Sequence, residues 1–194
     1  MVQVFISHTK KDEEFCDVFD RVAARVGVKA FRSEFEAIEN PAWKTIRDAI
    51  NSSVAVFFLV GKELVKNQDS GDSGWRHTQN WIAYEIGVAC QKGIDVWAVC
   101  DDVLINFPMP YINNYSIVSL ERRDAFDYMR AILSEGYKKG YSFPFPYNQK
   151  PLGVMCNYCR IGFNLHVTVP PGVSIKCPQC LNDIPFPLGF NPDI

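Results

Sequence analysis

The sequence predicts an α/β fold: an open, mostly parallel five-stranded sheet, followed by a small C-terminal β unit held by four cysteines. Three observations carry this reading. Short apolar, β-branched or aromatic runs alternate with stretches of helical periodicity over roughly residues 1–138, the pattern of parallel strands joined by crossover helices. One of these runs, Val54 to Val60, is apolar at every position, as a strand covered on both faces must be. Beyond them, Cys156, Cys159, Cys177 and Cys180 form two Cys-x2-Cys pairs near the C-terminal end.

Taken in order, Gln3-Val4-Phe5-Ile6 is the first strand and Ser7-His8-Thr9 ends it. Phe15, Val18, Phe19, Val22 and Val26 then give a helical stripe over Asp12 to Val26, and Gly27 stops it. Val28 to Phe31 is the second strand, followed by a polar loop, Arg32 to Asn40, carrying Glu34, Glu36 and Glu39. Pro41 suits the first turn of the next helix, whose apolar stripe is Trp43, Ile46 and Ile50. Val54 to Val60 is the central strand, and Gly61 to Gly74 is expected to be a loop. A helix over Gln79 to Lys92, ended by Gly93, leads to the fourth strand, Asp95 to Cys100. A proline-interrupted stretch around Phe107-Pro108-Met109-Pro110 precedes the fifth strand, Tyr115 to Leu120. Asp124 caps a last helix, Ala125 to Lys138, with Phe126, Met129 and Leu133 on one face.

With right-handed crossovers and the flavodoxin-like order 2-1-3-4-5, ligands belong at the carboxyl ends of the strands, beside the switch point between strands one and three. The candidate positions are then Ser7, His8 and Thr9; Phe31 and Arg32; Gly61 and Lys62; Asp101 and Asp102. Residues 7–12 contain no glycine, which excludes a P-loop or a dinucleotide-binding glycine turn there. The ends of strands one and three, Ser7-His8-Thr9 and Gly61-Lys62, also lack the acids of a phosphorylatable receiver.

The helix Gln79 to Lys92 poses the sharpest question. Glu85 stands in the apolar run Trp81 to Cys90 and shares a helical face with Trp81, Val88 and Ala89. A carboxylate so placed costs free energy unless it is paired or faces a wet pocket. Two readings stand: a structural acid paired with Arg76 or Lys62, or a functional one facing a ligand. Trp81 divides the same way, between core packing and a flat platform for a ligand ring.

Composition bounds the function classes. The chain has 194 residues, 47% of them hydrophobic, enough for one full domain with an appendage. Net charge is −2, split as −3 for residues 1–149 and +1 for residues 150–194, so nucleic acid is not an expected partner. The longest apolar run falls far short of the ~20 residues that span a bilayer, and no leader of about 15 to 30 residues precedes the first strand. A cytoplasmic, membrane-independent protein is the expectation. Cys16, Cys90 and Cys100 are scattered in apolar surroundings, as small core residues of a reducing compartment are.

Phe5-Ile6-Ser7-His8-Thr9 with Lys11-Asp12, the acidic loop after strand two, the central apolar strand and Trp81-Ile82-Ala83-Tyr84-Glu85 together resemble a TIR domain of the prokaryotic kind, over residues 1–138. Asn40-Pro41-Ala42 stands where many such domains carry proline-glycine. The resemblance implies one of two functions. Some members only assemble signalling complexes by self-association; others are hydrolases that cleave NAD to nicotinamide and ADP-ribose or a cyclic isomer, in settings that include antiviral defence signalling. In the enzymatic members the catalytic glutamate lies in a Trp-x-x-x-Glu pattern, which here makes Glu85 catalytic and Trp81 its substrate-binding aromatic. The chemistry agrees with a single acid. Nicotinamide leaves NAD as a neutral molecule and needs no general acid, so one carboxylate that stabilises the ribosyl cation suffices. Arg32 and Lys44 are the candidate cations for the phosphates, and Ser7 and His8 lie across the crevice for ribose or phosphate.

The four-cysteine spacing fits a structural zinc site in a small ribbon over residues 152–194, joined by a linker over 139–151 that is rich in proline and aromatics. Val167-Thr168-Val169 and Val173-Ser174-Ile175 read as its short strands. Two disulfides are the competing reading, disfavoured in a reducing compartment. With only Lys150, Arg160 and Lys176 as cations, the ribbon suits a protein contact better than nucleic acid. The function classes are therefore an NAD-cleaving enzyme, a non-catalytic TIR interaction module, and a zinc-dependent nucleic-acid reader.

Overall fold

The computed structural model of the chain describes residues 1–32, 42–69, 73–101, 105, 107–118, 129–130, 132–133, 137, 152–167 and 174–185. The expected acidic loop with Glu34, Glu36 and Glu39, the positions Pro41, Asp102, Asp124 and Phe126, the linker 139–151, and Thr168, Val169 and Val173 lie outside these residues.

The fold is mixed α/β, built on a mostly parallel seven-stranded sheet. Its described elements are β1 (Gln3–Ser7), α1 (Glu13–Arg25), β2 (Lys29–Arg32), α2 (Ala42–Asn51), β3 (Ala55–Val60), α3 (Lys62–Asp69), α4 (Ser73–Lys92), β4 (Asp95–Asp101), β5 (Asn114–Val118), β6 (Leu152–Met155), β7 (Gly162–Val167), β8 (Ser174–Lys176) and β9 (Asp183–Pro185). Hydrogen bonding orders the sheet β2-β1-β3-β4-β5-β7-β6, with every pair parallel except β6 with β7, while β8 and β9 form a separate antiparallel pair.

The unbroken apolar run of β3 is explained by its two covered faces. Val56, Phe58 and Val60 pack into one core with Ile46 and Ile50 of α2 and Ile82 and Ile86 of α4. Ala55, Phe57 and Leu59 face the other core, with Phe15, Phe19 and Val22 of α1 and with Met129, Ile132 and Leu133. Lys92, in the last turn of α4, donates its ammonium hydrogens to the carbonyls of Ile50, Asn51 and Ser53, tying the ends of α2 and α4 together. No helix among the described residues is long and apolar enough to cross a membrane.

Two expectations are corrected. The sheet has seven strands where five are expected, because β7 pairs in parallel with β5 from Asn114↔Asn164 to Ile117↔Val167, and β6 extends the edge. The alternation Phe163, Leu165 turns both side chains into the core shared with Tyr115, so this part of the cysteine-bearing segment continues the main sheet. Second, the expected loop Gly61 to Gly74 contains the helix α3. Its amino end is capped from far away: the Asp12 carboxylate accepts the Glu63 N–H at 2.9 Å and the Leu64 N–H at 3.0 Å.

That cap leaves no room at Gly61, where a Cβ would lie 2.2 Å from the Asp12 carboxyl carbon. Gly61→Ala is therefore expected to destabilise the fold by about 1–3 kcal/mol. Asp12→Ala is expected to cost about 0.5–2 kcal/mol through the lost cap. Because the second change removes the atoms that the first collides with, the double variant should lose less than the two singles together. Urea midpoints of the four chains test this, and strict additivity would show that the clash is not the cause.

Candidate functional site

The carboxyl ends of β1 and β3 and the inner face of α4 enclose an open cavity of ≈ 320 Å³. This lies at the switch point, where β1 is flanked by β2 on one side and β3 on the other. β1 contributes Ile6 and Ser7, with His8 and Thr9 just beyond it; β3 contributes Phe58, Leu59 and Val60; α4 contributes His77, Thr78, Trp81, Ile82 and Glu85. The helical repeat explains the last set: positions 77, 81 and 85 are successive i, i+4 neighbours on one face.

Glu85 is 2% exposed, and its Oε2 has no hydrogen-bond partner. Among the described residues it forms no ion pair; neither Arg76 nor Lys62 neutralises it. Burial pushes its pKa up to about 7, and the Ser7 side chain, its hydrogen-bonding neighbour, acts in the opposite direction. A carboxyl group poised near neutrality, lining a cavity and with one oxygen short of a partner, marks a candidate functional site in a way that a salt-bridged acid does not.

Trp81 is held in place rather than merely packed. Its Nε1–H donates to His77 Nε2 at 2.9 Å, one helical turn earlier. The indole also stands edge-on to Tyr84, at 5.8 Å between ring centroids and 86° between planes, and the Tyr84 hydroxyl donates to the Trp43 carbonyl of α2 at 2.8 Å.

Four of the six expected site residues, Ser7, His8, Trp81 and Glu85, thus share one cavity. Arg32 and Lys44 are not among its lining residues. Arg32 turns to the other side of the sheet, its Nε 2.9 Å from Asp20 Oδ2 and an Nη 3.4 Å from Asp17 Oδ1 on α1. Lys44 is an exposed residue of α2. The cations that do line the cavity are Lys10 and Lys11, exposed at its rim on the turn after β1. With Leu64, His77, Thr78 and Met109 they extend the lining beyond the expected set. His77 and Thr78 fall outside the expected helix because α4 begins six residues earlier than Gln79. Met109 carries no sequence signal, since its cavity position depends on the path of the chain between β4 and β5.

The second cluster is the cysteine group. The Sγ atoms of Cys156, Cys159, Cys177 and Cys180 all lie within 4.8 Å of one another, and Cys156–Cys180 and Cys159–Cys177 are each 3.6 Å apart. No disulfide joins the four thiols. A tetrahedron with metal–sulfur bonds of about 2.3 Å has edges of about 3.8 Å, so the group can hold a metal ion such as zinc with little rearrangement.

The two pairs are built alike. Cys156 N–H donates to Ile161 O and Arg160 N–H to Cys156 O; Cys177 N–H donates to Asn182 O and Leu181 N–H to Cys177 O. In each loop the residue after the second cysteine, Arg160 or Leu181, takes a left-handed backbone, with φ of 63° and 60°. The Asn182 amide donates to Cys180 Sγ at 3.3 Å and, with its backbone, brings that thiol down to about 6, which favours the thiolate form that a metal would take.

The chain matches no protein-family model, and no curated protein is significantly similar to it in sequence.

Proposed function

We propose that the protein cleaves the N-glycosyl bond between nicotinamide and ribose in NAD, with Glu85 as the catalytic carboxylate. The observation that carries this reading is the buried Glu85, with one carboxylate oxygen lacking a hydrogen-bond partner and no ion pair among the described residues, lining an open cavity beside a fixed indole. An interaction module has no need to keep a charge-bearing group desolvated and without a counter-ion, at a cost to its own stability. The resemblance to enzymatic TIR domains assigns the same residue.

In the reaction the C1′–N bond breaks and its electron pair stays with nicotinamide, which departs neutral. The positive charge passes to the ribose ring, and the Glu85 carboxylate, itself largely buried, stabilises it through space. Water, or a nucleophile of the same dinucleotide, then bonds to C1′ and loses a proton, giving ADP-ribose or a cyclic isomer. Trp81 offers its face to the nicotinamide or ribose, and Ser7 holds the carboxylate in place. Lys10 and Lys11 at the rim take the role expected of Arg32 and Lys44, facing the pyrophosphate. In this reading the cysteine centre is a structural zinc site.

The test is release of nicotinamide from NAD by the full chain, measured over a range of protein concentrations so that self-association is covered. Release is expected for the native chain. Lys10→Glu with Lys11→Glu should raise KM about tenfold or more with a smaller change in kcat, since the phosphates lie away from the bond that breaks. Absence of release at every concentration would leave the cavity without this chemistry.

A further inference from the structure

The segment between β4 and β5 touches both special sites. Met109 is 1% exposed, lines the Glu85 cavity, and belongs to the same core as Ile82 and Ile86 of α4. Its N–H donates to the carbonyl of Pro178 at 2.7 Å, and Pro178 lies inside the second cysteine loop, Cys177-Pro178-Gln179-Cys180. Flanked by Pro108 and Pro110, Met109 carries the sole N–H of that three-residue stretch, so this bond has no local substitute. The same loop leans on the same core: Ile175 is fully buried in it, and Leu181 packs against it.

We infer that the four-cysteine centre positions Met109, and through it one wall of the Glu85 cavity, so that holding a metal sets the shape of the candidate site. A metal bound by four thiolates fixes the path of both cysteine loops, including the direction of the Pro178 carbonyl. Without it, the short loop keeps its backbone hydrogen bonds, the Asn182–Cys180 contact and the packing of Ile175 and Leu181 on either side, but bonds through the metal no longer tie it to the first cysteine loop, and the Pro178 carbonyl that anchors Met109 is held less tightly. The inference concerns the cavity and requires no particular substrate.

The four methionines provide the test. Met1 and Met155 are exposed, at 98% and 62%, whereas Met109 and Met129 are buried, the first on the cavity side of the sheet and the second in the opposite core. The full chain is loaded with zinc, or stripped by a chelator with its cysteines then alkylated, and each form is exposed to dilute peroxide. Sulfoxide is measured residue by residue by mass spectrometry. In the loaded chain Met155 should oxidise readily while Met109 and Met129 resist. On stripping, oxidation of Met109 should accelerate roughly tenfold or more while Met129 stays protected. Continued protection of Met109 would overturn the inference. So would equal loss of protection at Met129, because the metal would then be holding the whole sheet and not one wall. Nicotinamide release plays no part in this readout, so failure here is separate from failure of the NAD reading.

Discussion

The Glu85→Gln chain is expected to be more stable than the native chain at pH 8 and to release nicotinamide at least ~100-fold more slowly. Both effects come from one fact, the burial of a carboxyl group that has no counter-charge among the described residues. Burial pushes its pKa from the ordinary 4.5 to about 7 in the folded chain. The folded state therefore holds the proton more tightly than the unfolded state between these values, and the stability this provides is complete below pH 4.5 and lost as pH rises through about 7. Above that range the ionised group costs the fold about 3 kcal/mol, which a neutral amide of the same shape does not. Urea midpoints at pH 4 and pH 8 are the direct check. The advantage of the amide should be large at pH 8 and nearly absent at pH 4. In the same window the native chain's kcat/KM for NAD should climb with pH and level off above about 7, because the ionised form stabilises the ribosyl cation. An amide variant no more stable at pH 8 than the native chain would mean that Glu85 has a counter-charge after all.

Much of this site is legible in the sequence because it rests on short-range rules. The spacing of Trp81 and Glu85 places both on one helical face, and the strand-end rule finds Ser7 and His8 before any contact is known. The same strand-end rule offers Arg32, but it takes no account of strand parity. Phe31 stacks on Phe5 at 6.0 Å between centroids on one face of the sheet, so its neighbour Arg32 points to the other, where Asp17 and Asp20 sit one helical turn apart on α1. The helix α3 is illegible for a different reason. Its first N–H groups are satisfied by Asp12, 51 and 52 residues earlier in the chain, and no local window contains that cap. The same holds for the two additional strands. The alternation of Phe163 and Leu165 is visible in sequence, but their partner Tyr115 lies across the β5–β7 ladder, and only tertiary pairing reveals it.

Cys177→Ser is expected to have the largest effect on stability of any change considered, because it takes one of four converging thiols from a fully buried position. Cys177 is fully buried, its N–H and C=O close the second cysteine loop through Asn182 and Leu181, and its thiol is one of four that converge. Zinc binding by four-ligand sites of this size is worth ~10–16 kcal/mol in isolated fingers, and a hydroxyl in place of a buried thiolate forfeits a large share of that. A loss of at least about 3 kcal/mol in the full chain is expected, together with failure to retain one zinc per chain after dialysis. Cys90→Ser is the matched control: Cys90 is exposed on α4, far in sequence from the cysteine loops, and its replacement should change stability by no more than ~0.5 kcal/mol and leave metal content intact. Metal analysis and urea unfolding of the two variants side by side separate a general sensitivity to cysteine loss from a metal centre. The split of the damage is also specified. Pairing of β7 with β5 draws on Phe163 and Leu165 as well as on the cysteines, so the sheet's edge should loosen when the metal is lost, while the β1–β3 ladder beneath Ser7 and Phe58 keeps both of its covered faces. Hydrogen exchange that slows from β7 towards β1 in the Cys177→Ser chain is the expected profile, and uniform exchange across all strands would show that the metal centre supports the whole fold.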